Sequence, residues 1–163
     1  MYKSIPTYKD GLWSETHFEE KNDWVSYLLT LFKEPGQYEF DDTALLFNEQ
    51  AVIFNKQGFY CDKPFRSKDF NKYWEDQKFK CKEGVLYHGK KNVFYLTRDY
   101  YMWLNFLPIF DKEEKKYGFA KVRDAQYHMA LYEVLAEEHN KHVAILKKRQ
   151  IASSYFHMAK LIN

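Results

Sequence analysis

Apolar residues fall at helical spacing in several separate stretches of the chain. In "NDWVSYLLTLFKEPG", Trp24, Leu28, Leu31 and Phe32 share one face, Asn22 or Asp23 is placed to cap it, and Pro35-Gly36 ends it. In "DDTALLFNEQAVIFNKQG", Leu45, Leu46, Ile53 and Phe54 lie near one face, with Asp41 or Asp42 as cap and Gly58 as stop. In "SKDFNKYWEDQKFKCKEG", Phe70, Tyr73, Trp74, Gln77 and Cys81 follow the helical period between a Ser67 cap and Gly84. "GVLYHGKKNVFYL" alternates around "HGKK" and predicts a β-hairpin.

The second half continues the pattern. "TRDYYMWLNFLPIFD" predicts a helix capped by Thr97, aromatic nearly all round and hence buried on several sides, ending at Pro108. "DKEEKKYG" reads as a solvated loop and a lobe boundary. "RDAQYHMALYEVLAEEHN" is an amphipathic helix, with Met129, Tyr132, Val134 and Leu135 apolar. "HVAIL" then predicts a short buried strand, followed by a basic turn and a last helix. The first 20 residues are polar and show no clear period.

Composition narrows the class. With 163 residues the chain can bury one real core, and 45% hydrophobic against 29% charged residues describes a globular protein. Only 6 glycines argue against a turn-dense β fold, while 20% aromatics demand large, flat core positions. A net charge of +2 gives no global basic field. The sign is uneven, however: beyond Glu138 come Lys141, Lys147, Lys148, Arg149 and Lys160, and no acid.

Cys61 and Cys81 do not make a disulfide framework, and with His88 they give no zinc spacing. The start "MYKSIPTYKD" lacks the apolar core of a signal peptide, and no run approaches a membrane span, so a reducing cytoplasm is expected. The acid runs at 19–20, 41–42, 112–116 and 137–138 read as solvated charge. His128, His139, His142 and His157 form no nucleophile triad at a readable spacing.

The chemistry concentrates in "HVAILKKRQIASSYFHMAKLIN". Strand, basic turn and helix is the layout of a phosphate-binding loop, in which free helix N–H groups meet the phosphates, a lysine neutralises charge and a hydroxyl holds Mg²⁺. Set on the Walker A pattern, Lys147 takes the first position, Ala152 the second Gly, Ser153 the Lys and Ser154 the Mg²⁺ hydroxyl. Lys147, Lys148 or Arg149 could fold back over the phosphates, and Ser153 or Ser154 could cap the helix. A left-handed backbone at Ala152 would cost roughly 1–2 kcal/mol. The other reading is a capped helix behind a solvated basic turn.

Upstream residues add to this. From about Asn71 the chain resembles the N-terminal part of the large terminase subunit of tailed phages, the ATP-driven motor that packages DNA into procapsids. Three features carry the resemblance, in order: "YWEDQKFKCKEG", a hairpin leading into "YYMWLNFLPI", and "RDAQYHMALYEVLAEEHNKHVAILKKRQIASSYF". Many terminases move the loop lysine to the start of the motif, where Lys147 stands, and others read Arg-Gln inside it, as at Arg149-Gln150. Ala152 departs from the family's usual Gly, and residues 1–66 carry no matching motif.

The resemblance implies an α+β, mostly helical fold, an incomplete P-loop NTPase region with a β-hairpin and a terminal strand–loop–helix. It divides the chain into an N-terminal helical region, 1–66, and the front of the ATPase domain, 67–163. It implies ATP and Mg²⁺ as cofactors, with Lys147, Lys148, Arg149, Gln150, Ala152, Ser153 and Ser154 at the phosphates and Ser154 on the metal. The adenine side would draw on Gln126, Tyr127, Tyr100 and Tyr101; the last two are otherwise core, and Asn105 is either a helix-end residue or part of the same wall. Implied partners are double-stranded viral DNA, the small terminase subunit and the portal protein, in a host cytoplasm, with no membrane. Neither a Walker B strand nor the family's nuclease cluster is present, so the chain is expected to end just past the loop and to be inactive alone. It is also expected to expose apolar surface near Val143–Leu146. The alternative is a small, non-enzymatic helical domain that touches DNA or a protein.

Overall fold

A computed structural model of the chain describes residues 1–111, 115–146, 156–157 and 161. The N-terminal stretch corrects the expectation of an aperiodic, helical region. Strands β1 (Lys3–Lys9) and β2 (Leu12–Phe18) form an antiparallel hairpin with Lys9 opposite Leu12. Asp10 (φ 51) and Gly11 (φ 83) make the two-residue turn, both in the left-handed region that a right-twisted hairpin needs.

The helices follow the apolar periods. Helix α1 (Lys21–Thr30) begins slightly earlier than expected, because Glu20 serves as its cap and Asp23 Oδ2 accepts the Glu20 N–H at 3.3 Å. The second expected helix divides into a 3-10 turn, Asp42–Leu46, and α2 (Glu49–Gln57), closed by Gly58 at φ 80. Helix α3 (Lys68–Glu83) has the expected Ser67 cap, whose Oγ accepts the Phe70 N–H at 3.1 Å. It stops at Gly84, where an added Cβ would lie 2.5 Å from the Leu96 carbonyl oxygen.

The expected second hairpin is β3 (Val85–His88) and β4 (Val93–Leu96). Thr97 caps α4 (Arg98–Phe106). The charged stretch beyond it is flanked by a small hairpin, β5 (Ile109–Asp111) and β6 (Lys116–Gly118), in place of a plain loop. Helix α5 (Asp124–Glu138) is as expected.

The main sheet runs β2-β1-β3-β4. Its central pair, β1 and β3, is parallel, with Thr7 opposite Leu86, and its outer pairs are antiparallel. Trp24 of α1 covers one face, with its ring 5.0 Å from Tyr95 and 5.2 Å from Phe18. On the other face Phe47 lies 4.9 Å from Tyr87 and 5.4 Å from Phe94. Glu138, at the end of α5, ties these parts together: it accepts from the Trp24 indole at 2.8 Å and the Tyr2 hydroxyl at 2.6 Å. The described residues thus form an α+β fold with five α-helices, a mixed four-stranded sheet and a two-stranded hairpin.

The break between the 3-10 turn and α2 has a side-chain cause. Asn105 Nδ2 donates to the Phe47 carbonyl at 2.8 Å, and its Oδ1 accepts the Gln50 N–H at 3.0 Å. A continuous helix would use both backbone groups in its own i→i−4 ladder.

The predicted strand at "HVAIL" is not there. Residues 141–146 are neither strand nor helix. Asn140 (φ 53) turns the chain out of α5, and the Lys141 N–H bonds back to the Ala136 carbonyl at 2.8 Å. The outer edge of β4 gives it no berth either, since the Tyr127 hydroxyl takes the Tyr95 N–H at 3.0 Å. Apolar surface is exposed in this stretch at Leu146, while Val143 and Ile145 are half-buried.

Candidate functional site

The phosphate-loop residues Lys147, Lys148, Arg149, Gln150, Ala152, Ser153 and Ser154 lie outside the described residues. Just beyond them in the chain, Phe156 is buried, with its ring 5.9 Å from Tyr100 and 5.5 Å from Trp103 of α4. His157 Nε2 lies 2.8 Å from Oε1 of the buried Glu133 on α5. Among the described residues no group of His, Cys, Asp and Glu could hold a metal ion.

The adenine-side residues Gln126, Tyr127, Tyr100 and Tyr101 are all buried, none more than 2% exposed. Tyr127 is ringed by Tyr38 at 5.0 Å, Phe40 at 5.6 Å and Tyr100 at 6.2 Å. Burial pushes its phenol well above the ordinary range. The Tyr100 hydroxyl accepts the Arg123 N–H at 3.3 Å, and the Tyr101 hydroxyl donates to Gln77 Oε1 at 2.7 Å. Tyr100 and Tyr101 therefore sit in the core, and Asn105 ties α4 to the start of α2.

Asp124, which leads α5, also has a structural partner. Its two carboxylate oxygens accept the Gly36 N–H at 2.6 Å and the Tyr38 N–H at 3.0 Å, pinning the loop after α1 to the head of α5. The Tyr38 hydroxyl accepts the Lys33 N–H at 3.2 Å and lies 3.0 Å from His128 Nδ1.

An open cleft lies at the opposite edge of the sheet, between β2 and α3, with a volume of about 600 Å³. Trp13, Glu15 and His17 line it from β2, and Asp76, Gln77 and Lys80 from α3. Lys80 Nζ rests on the Trp13 ring, 3.5 Å from its centroid. Sequence reasoning did not reach this site. The signals present were the Asp10-Gly11 turn, which would have placed β2, and a glutamine, Gln77, on an otherwise apolar helix face. Comparison of the chain with protein-family models, curated proteins and solved structures gave no match.

Proposed function

We propose that the chain is the N-terminal, nucleotide-binding part of a tailed-phage terminase large subunit, serving ATP-driven movement of viral DNA into a procapsid. The observation that carries this reading is the docking of the residues just past the basic loop. Phe156 packs on α4 and His157 bonds to α5. These are the two helices that hold "YYMWLNFLPI" and the Asp124-led segment, so Phe156 and His157 meet the elements whose sequences carry the resemblance.

In this reading Lys147, Lys148, Arg149 and Gln150 meet the phosphates, Ala152 stands at the family's Gly position, and Ser154 holds Mg²⁺ with Ser153 assisting. A fluorescent ATP analogue with Mg²⁺ tests it. The chain is expected to bind the analogue, and Lys147→Ala and Ser154→Ala to weaken binding about tenfold or more, the scale of one charge-assisted contact. Equal binding by Lys147→Ala, or none by the wild-type chain, sinks the assignment.

A further inference from the structure

We propose that the cleft between β2 and α3 is a binding site for a small monocarboxylate with a flat, apolar body, seated by Lys80 and Gln77. It is separate from the nucleotide reading and does not depend on it. The volume, about 600 Å³, is that of a small-molecule site.

Gln77 is 5% exposed. Its Oε1 accepts from the Tyr101 hydroxyl at 2.7 Å. The NH₂ end is thereby left as the donor facing the cleft, and no acceptor among the described residues takes it. Its Nε2 is not sealed off from solvent, so the donor is open to a ligand acceptor.

Lys80 supplies the charge. Its ammonium is held on the indole face of Trp13, and no carboxylate among the described residues lies within ion-pair distance. Burial lowers its pKa, against weaker, longer-range attraction from Glu49 and Asp76. An aromatic face stabilises a cation but accepts none of the conventional hydrogen bonds that an ammonium can donate. A ligand carboxylate would provide both the counter-charge and the acceptors, for Lys80 and for the Gln77 amide together.

The walls and rim set the rest of the ligand. Pro6, Trp13 and Phe79 are apolar and suit a flat body. Glu15, held by the Ser4 hydroxyl at 2.5 Å, and Asp76 place two negative charges around the cleft. They disfavour a multiply charged phosphate more than a single carboxylate.

The test titrates benzoate, and separately inorganic phosphate, into the full chain, followed by amide chemical shifts of β2 and α3. Benzoate is expected to shift Trp13, Gln77 and Lys80 saturably, and phosphate is not. Lys80→Met keeps the apolar stem and should weaken benzoate about tenfold or more. Asp76→Asn removes a repulsive charge and should tighten it. The proposal is overturned if benzoate produces no saturable shift, if phosphate binds as well as benzoate, or if a folded Lys80→Met binds benzoate as the wild type does. Should Lys80→Met not fold, unchanged affinity in Asp76→Asn overturns it instead.

Discussion

The hydroxyl of Tyr127 accepts the backbone N–H of Tyr95 at 3.0 Å, so a helix side chain caps the outer edge of the sheet. The N–H is buried, and removing its acceptor leaves it without a partner. Tyr127→Phe is therefore expected to cost about 1–3 kcal/mol. Urea unfolding should show a lower midpoint at an unchanged slope. A variant as stable as the wild type would mean that the bond contributes nothing to the edge.

Asn105 makes three buried bonds, to the Phe47 and Tyr101 carbonyls and from the Gln50 N–H. Asn105→Ala would strand these groups and is expected to cost about 3 kcal/mol or more. Amide exchange at Gln50 should accelerate before that at the β1–β3 pair. Unchanged protection at Gln50 would contradict the splice between α4 and α2.

Lys80 gives the fold a signed pH dependence. Its folded pKa lies below the ordinary 10.5 because of burial. Between those two values the unfolded chain holds more protons than the folded one, so stability contributed by this group rises with pH across that window. Below the window the cost of burying the charge is present in full. Lys80→Met should melt at a higher temperature than the wild type at neutral pH, and the difference should shrink as pH rises into the window. A lower melting temperature at neutral pH would show that the contact with Trp13 outweighs desolvation.

Burial pushes the Cys81 thiol up to about 12 from 9.0. At mildly alkaline pH the folded protein then holds roughly a thousandfold less Cys81 thiolate than the unfolded chain. Iodoacetamide at pH 8, with peptide mapping, should label Cys81 in urea and spare it in the native state. Rapid native labelling would place the thiol in a more open setting.

The helices were legible in the sequence because each carries its own punctuation. Ser67, Thr97, Gly58 and Gly84 act within a turn of their own position, and all stand where the spacing put them. The N-terminal hairpin was harder to see. Its strands are half-exposed, and Pro6 sits in a strand that pairs on both sides. Proline is tolerated there because the parallel ladder to β3 begins one residue later, at Thr7.

The division of the second helix was not legible at all, since its cause, Asn105, lies on a different helix. The strand expected at "HVAIL" failed for a similar reason. An apolar run becomes a strand only if an edge is open to it, and Tyr127 had closed that edge. Of the candidate sites, the basic loop could be read from local residue order. The cleft beside Lys80 could not, because Trp13 and Lys80 meet only after β1 and α3 have packed.

The parallel register of Thr7 with Leu86 also sets a timetable for synthesis. The first hairpin leaves the ribosome with the inner edge of β1 open, and its partner strand is roughly 80 residues behind. At about 5–20 residues per second that delay is about 4–16 s. For that interval the nascent hairpin presents an unpaired strand to its surroundings, and a neighbouring nascent copy could pair with it before β3 arrives. Slow translation between α1 and β3 should therefore lower the yield of folded protein more than slow translation after β4.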